Sequence, residues 1–217
     1  MIDLHTHSLF SDGELLVSEL VARAYNKGYR ALALTDHMDA SNIDFVIPRV
    51  VETLKDLSQH YPSMKLIAGA EITHVPPKMI DPLVKQARNI GAQIVVVHGE
   101  TPVEPVLPGT NRAAIEAGVD VLAHPGFITE EETQAAVQKG VVLEITYRKG
   151  HSLTNGHVAH MALAHGAEIV VNTDAHSPGD LITQEMAQKV LQGAGIPDTT
   201  VLDIMKKTKK LLDKIIG

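Results

Sequence analysis

The chain has no cysteine and no tryptophan, and only three Phe and four Tyr among its 217 residues. Without cysteine, disulfides, thiolate metal sites and a cysteine nucleophile are excluded, which fits a reducing compartment. With so few rings, the core must be built from Val, Ile, Leu and Ala, the mix that fills parallel strands buried on both faces. No apolar run reaches the ~18 residues of a membrane span. The opening MIDLHTH carries neither a basic n-region nor an apolar h-region, so a cytoplasmic location and no membrane partner are expected. Positive charge is also short: 19 Lys and Arg face 26 Asp and Glu, for a formal net charge of −7. Long nucleic acid is therefore not an expected partner, because proteins that bind it display a basic patch or stripe. The one basic cluster is Lys206, Lys207, Lys209, Lys210 and Lys214. It interleaves with Leu202, Met205, Leu211, Leu212, Ile215 and Ile216 at helical spacing, which predicts an amphipathic helix with a solvated lysine face.

What is abundant is order. Short β-branched runs predict strands over Ile2–His7, Ala31–His37, Lys65–Thr73, Ile94–His98, Val121–His124, Val141–Arg148 and Glu168–His176. Amphipathic stretches between and after them predict helices over Leu15–Asn26, Ile43–His60, Pro82–Ile90, Asn111–Ala117, Glu130–Lys139, Gly156–His165 and Leu181–Gln192. Strands alternating with helices imply right-handed βαβ units and a parallel sheet. Seven such units over residues 1–217 favour one domain, an α/β fold of the seven-stranded (β/α)7, TIM-like barrel type. The Pro-rich stretch from Thr101 to Gly109 reads as a loop over the barrel mouth.

Six of the predicted strands deliver a His, Asp or Glu near the C-terminal end, where barrels of this kind place their chemistry. The series is His5 and His7, His37, Glu71, His98, His124, then Asp174 and His176, with Asp12 in the first loop. One zinc-like site needs three or four ligands. Nine candidates suit two or three divalent ions, and imidazole with carboxylate suits zinc, manganese or iron. Residues two apart on a strand share a face, which would place Asp3, His5 and His7 together, with Asp3 as a partner for an imidazole N–H.

DLHTHSLFSDG, LTDH, GAEI, VVVHG, LAHPG and NTDAH, in this order, resemble the PHP (polymerase and histidinol phosphatase) superfamily over nearly the whole chain. The loop after His98 and LAHPG look most like its free-standing phosphatase branch. The resemblance implies a distorted seven-unit barrel with two or three Mn, Zn or Fe ions. By that likeness His5, His7, Glu71 and Asp174 hold the first ion, Glu71, His98 and His124 the second, and Asp12, His37 and His176 the third. The amidohydrolase superfamily also begins with His-x-His, but it commonly has a metal-bridging Lys on strand four, and here that strand ends in His98.

The chemistry expected of such a site is hydrolysis of a phosphate ester, with a hydroxide bridging two ions as nucleophile. Asp12 or His176, or water, would protonate the leaving group. Arg148, at the end of VVLEITYR, is the candidate anchor for substrate phosphate, since Arg binds such oxygens bidentately. Arg112, Lys149 and His151 are weaker candidates, and Glu144 is expected to be buried and hydrogen-bonded. The expected partner is a small phosphorylated metabolite, such as histidinol phosphate. Alternatives are a phosphodiesterase or exonuclease on nucleotides or short oligonucleotides, and a non-catalytic RNA-binding scaffold.

Overall fold

The computed structural model describes all residues, Met1–Gly217. Its strands are β1 (Ile2–Asp3), β2 (Ala31–Leu34), β3 (His37–Met38), β4 (Lys65–Ile72), β5 (Ile94–His98), β6 (Val121–Ala123), β7 (Val142–Thr146) and β8 (Ile169–Asn172). All pairings are parallel, in the order β1-β2-β4-β5-β6-β7-β8, with β3 lying beside β4. Thr6 bridges Ala175, and His5 O accepts from Asp174 N at 3.0 Å, so the two ends of the sheet meet and nearly close a barrel. The helices are α1 (Val17–Asn26), α2 (Ile43–Ser58), α3 (Pro77–Asn89), α4 (Thr110–Ala117), α5 (Glu130–Lys139), α6 (Asn155–His165), α7 (Gln184–Gly193) and α8 (Asp198–Ile216).

Alternation along the strands explains the layers. Inside the barrel lie Leu4, Ala31, Ala33, Ile67, Ile94, Val96, Val121, Val142 and Val170. The strand residues between them, such as Leu32, Val95, Leu143 and Val171, join the larger cluster shared with the helices. Each fully buried aliphatic side chain of this kind contributes about 1.5–3 kcal/mol. The lysine-bearing helix α8 supplies Leu212, with Leu211 and Ile215, to the barrel interior and leaves its lysines exposed. Going up the strands, the inward positions change from apolar to chemical: Ile67 to Glu71, Ile94 to His98, Val142 to Glu144.

Several elements differ from the sequence expectation. The second expected strand is split at Thr35 and Asp36 into β2 and β3. The Asp36 carboxylate accepts hydrogen bonds from Ser8 N, Ser8 Oγ and Ser11 Oγ, which ties the break to the first loop, while Thr35 N still donates to Thr6 O and Asp36 O still accepts from Glu71 N. Helix α3 begins at Pro77 and runs through Pro82 rather than starting at it. Pro82 is exposed, so water can satisfy the carbonyl its missing N–H releases. Helix α7 begins at Gln184 because Thr183 caps it, accepting from Met186 N.

Candidate metal centre

The donors predicted from the sequence converge at the C-terminal mouth of the barrel. His5 Nε2 lies 3.4 Å from Glu71 Oε1 and 3.8 Å from Asp174 Oδ1. His7 Nε2 lies 3.2 Å from Asp174 Oδ1 and 3.7 Å from Glu71 Oε2. Donors about 2.0–2.2 Å from one tetrahedral ion stand about 3.3–3.6 Å apart, close to this set. His124 Nε2 is 3.7 Å from Glu71 Oε1 and 3.6 Å from Asp174 Oδ2. Asp12 Oδ1 lies 3.1 Å from His176 Nε2 and 3.4 Å from His37 Nε2, with His7 in the same group. Glu71 also reaches His37 Nδ1 at 2.6 Å, so this one carboxylate lies between all three groups.

Buried polar atoms almost always have a hydrogen-bond partner. Here His5 Nε2, His7 Nδ1 and Nε2, Glu71 Oε1, His124 Nδ1 and Asp174 Oδ1 are buried and have none. A divalent cation would satisfy most of them at once, so the donor set fits the metal the fold implies. The backbone is strained at the same place. His124 has φ +28° and Asp174 φ +53°, a region that costs side-chain-bearing residues about 1–3 kcal/mol.

Electrostatics follow from crowding. Burial alone would lower the proton affinity of His5, but Glu144, Glu71 and Asp174 together hold it well above the usual imidazole range. Burial and the neighbouring His37 push His7 well below that range. Burial, with the carboxylates of Glu71 and Glu144 nearby, raises Asp174 to about 7. Burial opposes ionisation of Asp12, but His176 and His37 outweigh it and hold its carboxyl well below the usual carboxylate range.

One sequence expectation is corrected. Asp3 does not hold an imidazole. Its carboxylate accepts from Thr173 Oγ1 at 2.6 Å and Thr173 N at 3.2 Å, because regular pairing of β1 stops at Asp3 and the alternation does not carry through to His5. The partner of His5 is Glu144, with Oε1 2.8 Å from Nδ1. Arg112 pairs with Glu116 on the outside of α4, and Lys149 is exposed outside the mouth, so neither faces the donors. Arg148 does line the mouth, loosely paired at 3.7 Å with Asp180. Sequence reasoning missed Glu104, which lies within 3.3 Å of His74, His98 and His151. Its only signal was membership of the Pro-rich loop.

The arrangement defines a TIM-like barrel with a histidine- and carboxylate-lined mouth. The PHP domain model matches residues 3–123, and the chain belongs to that family. An uncharacterized protein of Methanocaldococcus jannaschii is 45% identical over 215 residues, covering 98% of this chain and 99% of that one. A protein described as a probable phosphatase, from Thermoanaerobacter sp. strain X514, is 25% identical over 238 residues, covering 99% and 95%. A chain from the structure of archaeal ribonuclease P with mature tRNA superposes with a TM-score of 0.76 at 18% identity, covering 98% and 90%, which is a likeness of fold.

Proposed function

We propose that this chain is a metal-dependent phosphoesterase whose substrate is a small phosphomonoester. The observation that carries this reading is the set of buried, unpartnered donor atoms at the barrel mouth. Leaving such atoms bare costs about 1–3 kcal/mol each, more for charged groups, and a scaffold has no use for that cost. The 25%-identical probable phosphatase, matched along almost its whole length, supports the reaction class.

His5, His7, Glu71 and Asp174 would hold one divalent ion. Glu71, His98 and His124 would hold a second, and Asp12, His37 and His176 a third. Bound zinc, manganese or iron would supply an activated water and neutralise phosphoryl oxygens. The residues of the chain do the positioning. Glu144 fixes the His5 ring from behind, as Asp174 O fixes His176 Nδ1 at 2.9 Å. Arg148 brings the one arginine of the cavity to the substrate phosphate. The neighbouring His176 and His37 favour the carboxylate form of Asp12, the form a metal ligand needs. The cavity is about 400 Å³, and Met38 is the only apolar residue among the 14 that line it. That lining suits a small polar metabolite better than an apolar or polymeric one.

The test is hydrolysis of p-nitrophenyl phosphate against bis-p-nitrophenyl phosphate by protein reloaded with Mn²⁺ or Zn²⁺. Preference for the monoester is expected, followed by a metabolite screen that begins with histidinol phosphate. Preference for the diester would overturn the substrate class and point to nucleotides or short oligonucleotides. Activity on neither, with ions bound, would leave an enzyme of narrow specificity or a non-catalytic RNA-binding scaffold. Arg148→Ala should raise KM about tenfold or more, the cost of a charge-assisted hydrogen bond, and an unchanged KM would remove Arg148 from the phosphate site.

A further inference from the structure

The Pro-rich loop carries Glu104 down into the mouth. Its Oε2 lies 3.1 Å from His98 Nε2 and its Oε1 3.3 Å from His151 Nε2. His151 opens a short 3-10 helix, His151–Thr154, after β7, and it is buried. Its ring stacks on that of His124 with centroids 4.2 Å apart. Donor nitrogens of His98, His124 and His151 all lie within 4.8 Å of one another.

Two of these rings are oriented from behind. His98 Nδ1 lies 3.2 Å from Gly99 O, which leaves Nε2 as the donor toward the mouth. His151 Nδ1 lies 2.8 Å from Thr101 Oγ1, on the same loop as Glu104, and again leaves Nε2 facing inward. Metal-binding imidazoles are typically held this way, with the other ring nitrogen bonded to a carbonyl or polar side chain.

We propose that Glu104 and His151 are further ligands of the ion held by Glu71, His98 and His124. This rests on the reading of the mouth as a metal centre. Five protein donors nearly close an ion's coordination, unlike the open position a catalytic ion keeps. The ion then ties the Pro-rich loop and the segment after β7 to the barrel, and solvent exchange falls to the other two positions. Glu104 is the part-exposed donor of the five, while Glu71, His98, His124 and His151 are buried.

The experiment compares chelator-stripped wild type with Glu104→Gln, His151→Ala and the double variant after reloading with Co²⁺. Ions per chain, affinity by titration, and the ligand-field absorption of Co²⁺ are read, with far-UV circular dichroism as the check on folding. The double variant should lose one ion per chain, or bind one ion more weakly by more than the about 10- to 100-fold typical of supporting residues. Its absorption should change in the same step. Thr101→Val removes only the hydroxyl behind His151 and should weaken the same ion by less. Unchanged stoichiometry, affinity and spectrum in the folded variants would overturn the inference while leaving the metal centre intact. A wild type that takes up no ion would instead overturn the metal reading itself.

Discussion

Glu144 is fully buried, and both its oxygens are committed. Oε1 lies 2.8 Å from His5 Nδ1 and accepts from Asn172 Nδ2 at 2.8 Å, while Oε2 accepts from His124 N at 3.3 Å. All three contacts want an acceptor, and a glutamine offers one oxygen and one amide donor. Glu144→Gln therefore either turns its amide donor toward a backbone N–H or loses the bond that orients His5. Metal affinity should fall about 10- to 100-fold with the fold retained. Titration with Zn²⁺ or Mn²⁺ checks this, and an unchanged Kd would mean that Glu144 does not tune the site. At this scale the sequence was informative where a residue type repeats at strand ends. Glu71, His98 and His124 could be picked out because each ends an apolar run, and His5 with His7 and Asp174 with His176 because they stand two apart at a strand end. Glu104 could not, since a carboxylate in a loop carries no period and its aim depends on how that loop folds back.

Loops, more than strands, are where the elements constrain one another. The turn of LAHPG presses on the loop after β5: Gly126 has φ +63°, and a Cβ there would lie 1.8 Å from Glu100 O. Glu100 Oε1 in turn accepts from Gly109 N and Asn111 N, which anchors the far end of the Pro-rich loop to α4. Gly126→Ala should thus cost about 2 kcal/mol or more, combining the left-handed penalty with the clash. Urea unfolding with an unchanged m-value reads that loss, and a change within about 0.5 kcal/mol would show that the turn yields. The alternation of seven βα units was legible because period-2 and period-3.6 patterns survive in a single sequence. The break at Thr35 and Asp36 was not. There the Asp36 side chain is held by Ser8 and Ser11 of the first loop, more than 20 positions away, a contact that no local period announces.

For the whole molecule, pH separates the metal-free protein from the loaded one. Burial would lower His37, but Glu71 and Asp12 outweigh it and raise its pKa from the ordinary 6.5 to about 10. A pKa raised on folding stabilises fully below the unfolded value, and that stabilisation drains away as pH climbs through the folded value. His5 and His98 are also raised, by the carboxylates around them, so their contributions run the same way. The chelated protein should therefore lose thermal stability steadily between about pH 7 and about pH 9. Metal ligation has the opposite sign: imidazoles bind as the neutral form, so uptake releases protons and strengthens as pH rises. An ion that binds only the folded chain adds stability as RT ln(1 + c/Kd), where c is the free ion concentration, so tighter binding adds more. The gap in Tm between loaded and chelated protein should consequently widen across this interval. Parallel curves, or a narrowing gap, would mean that the histidines at the mouth are not the groups the ions displace protons from. His37 and His98, which pair with Asp12, Glu71 and Glu104 in the metal-free fold, are on this account also ligands of the ions, and pH shifts the balance between the two arrangements.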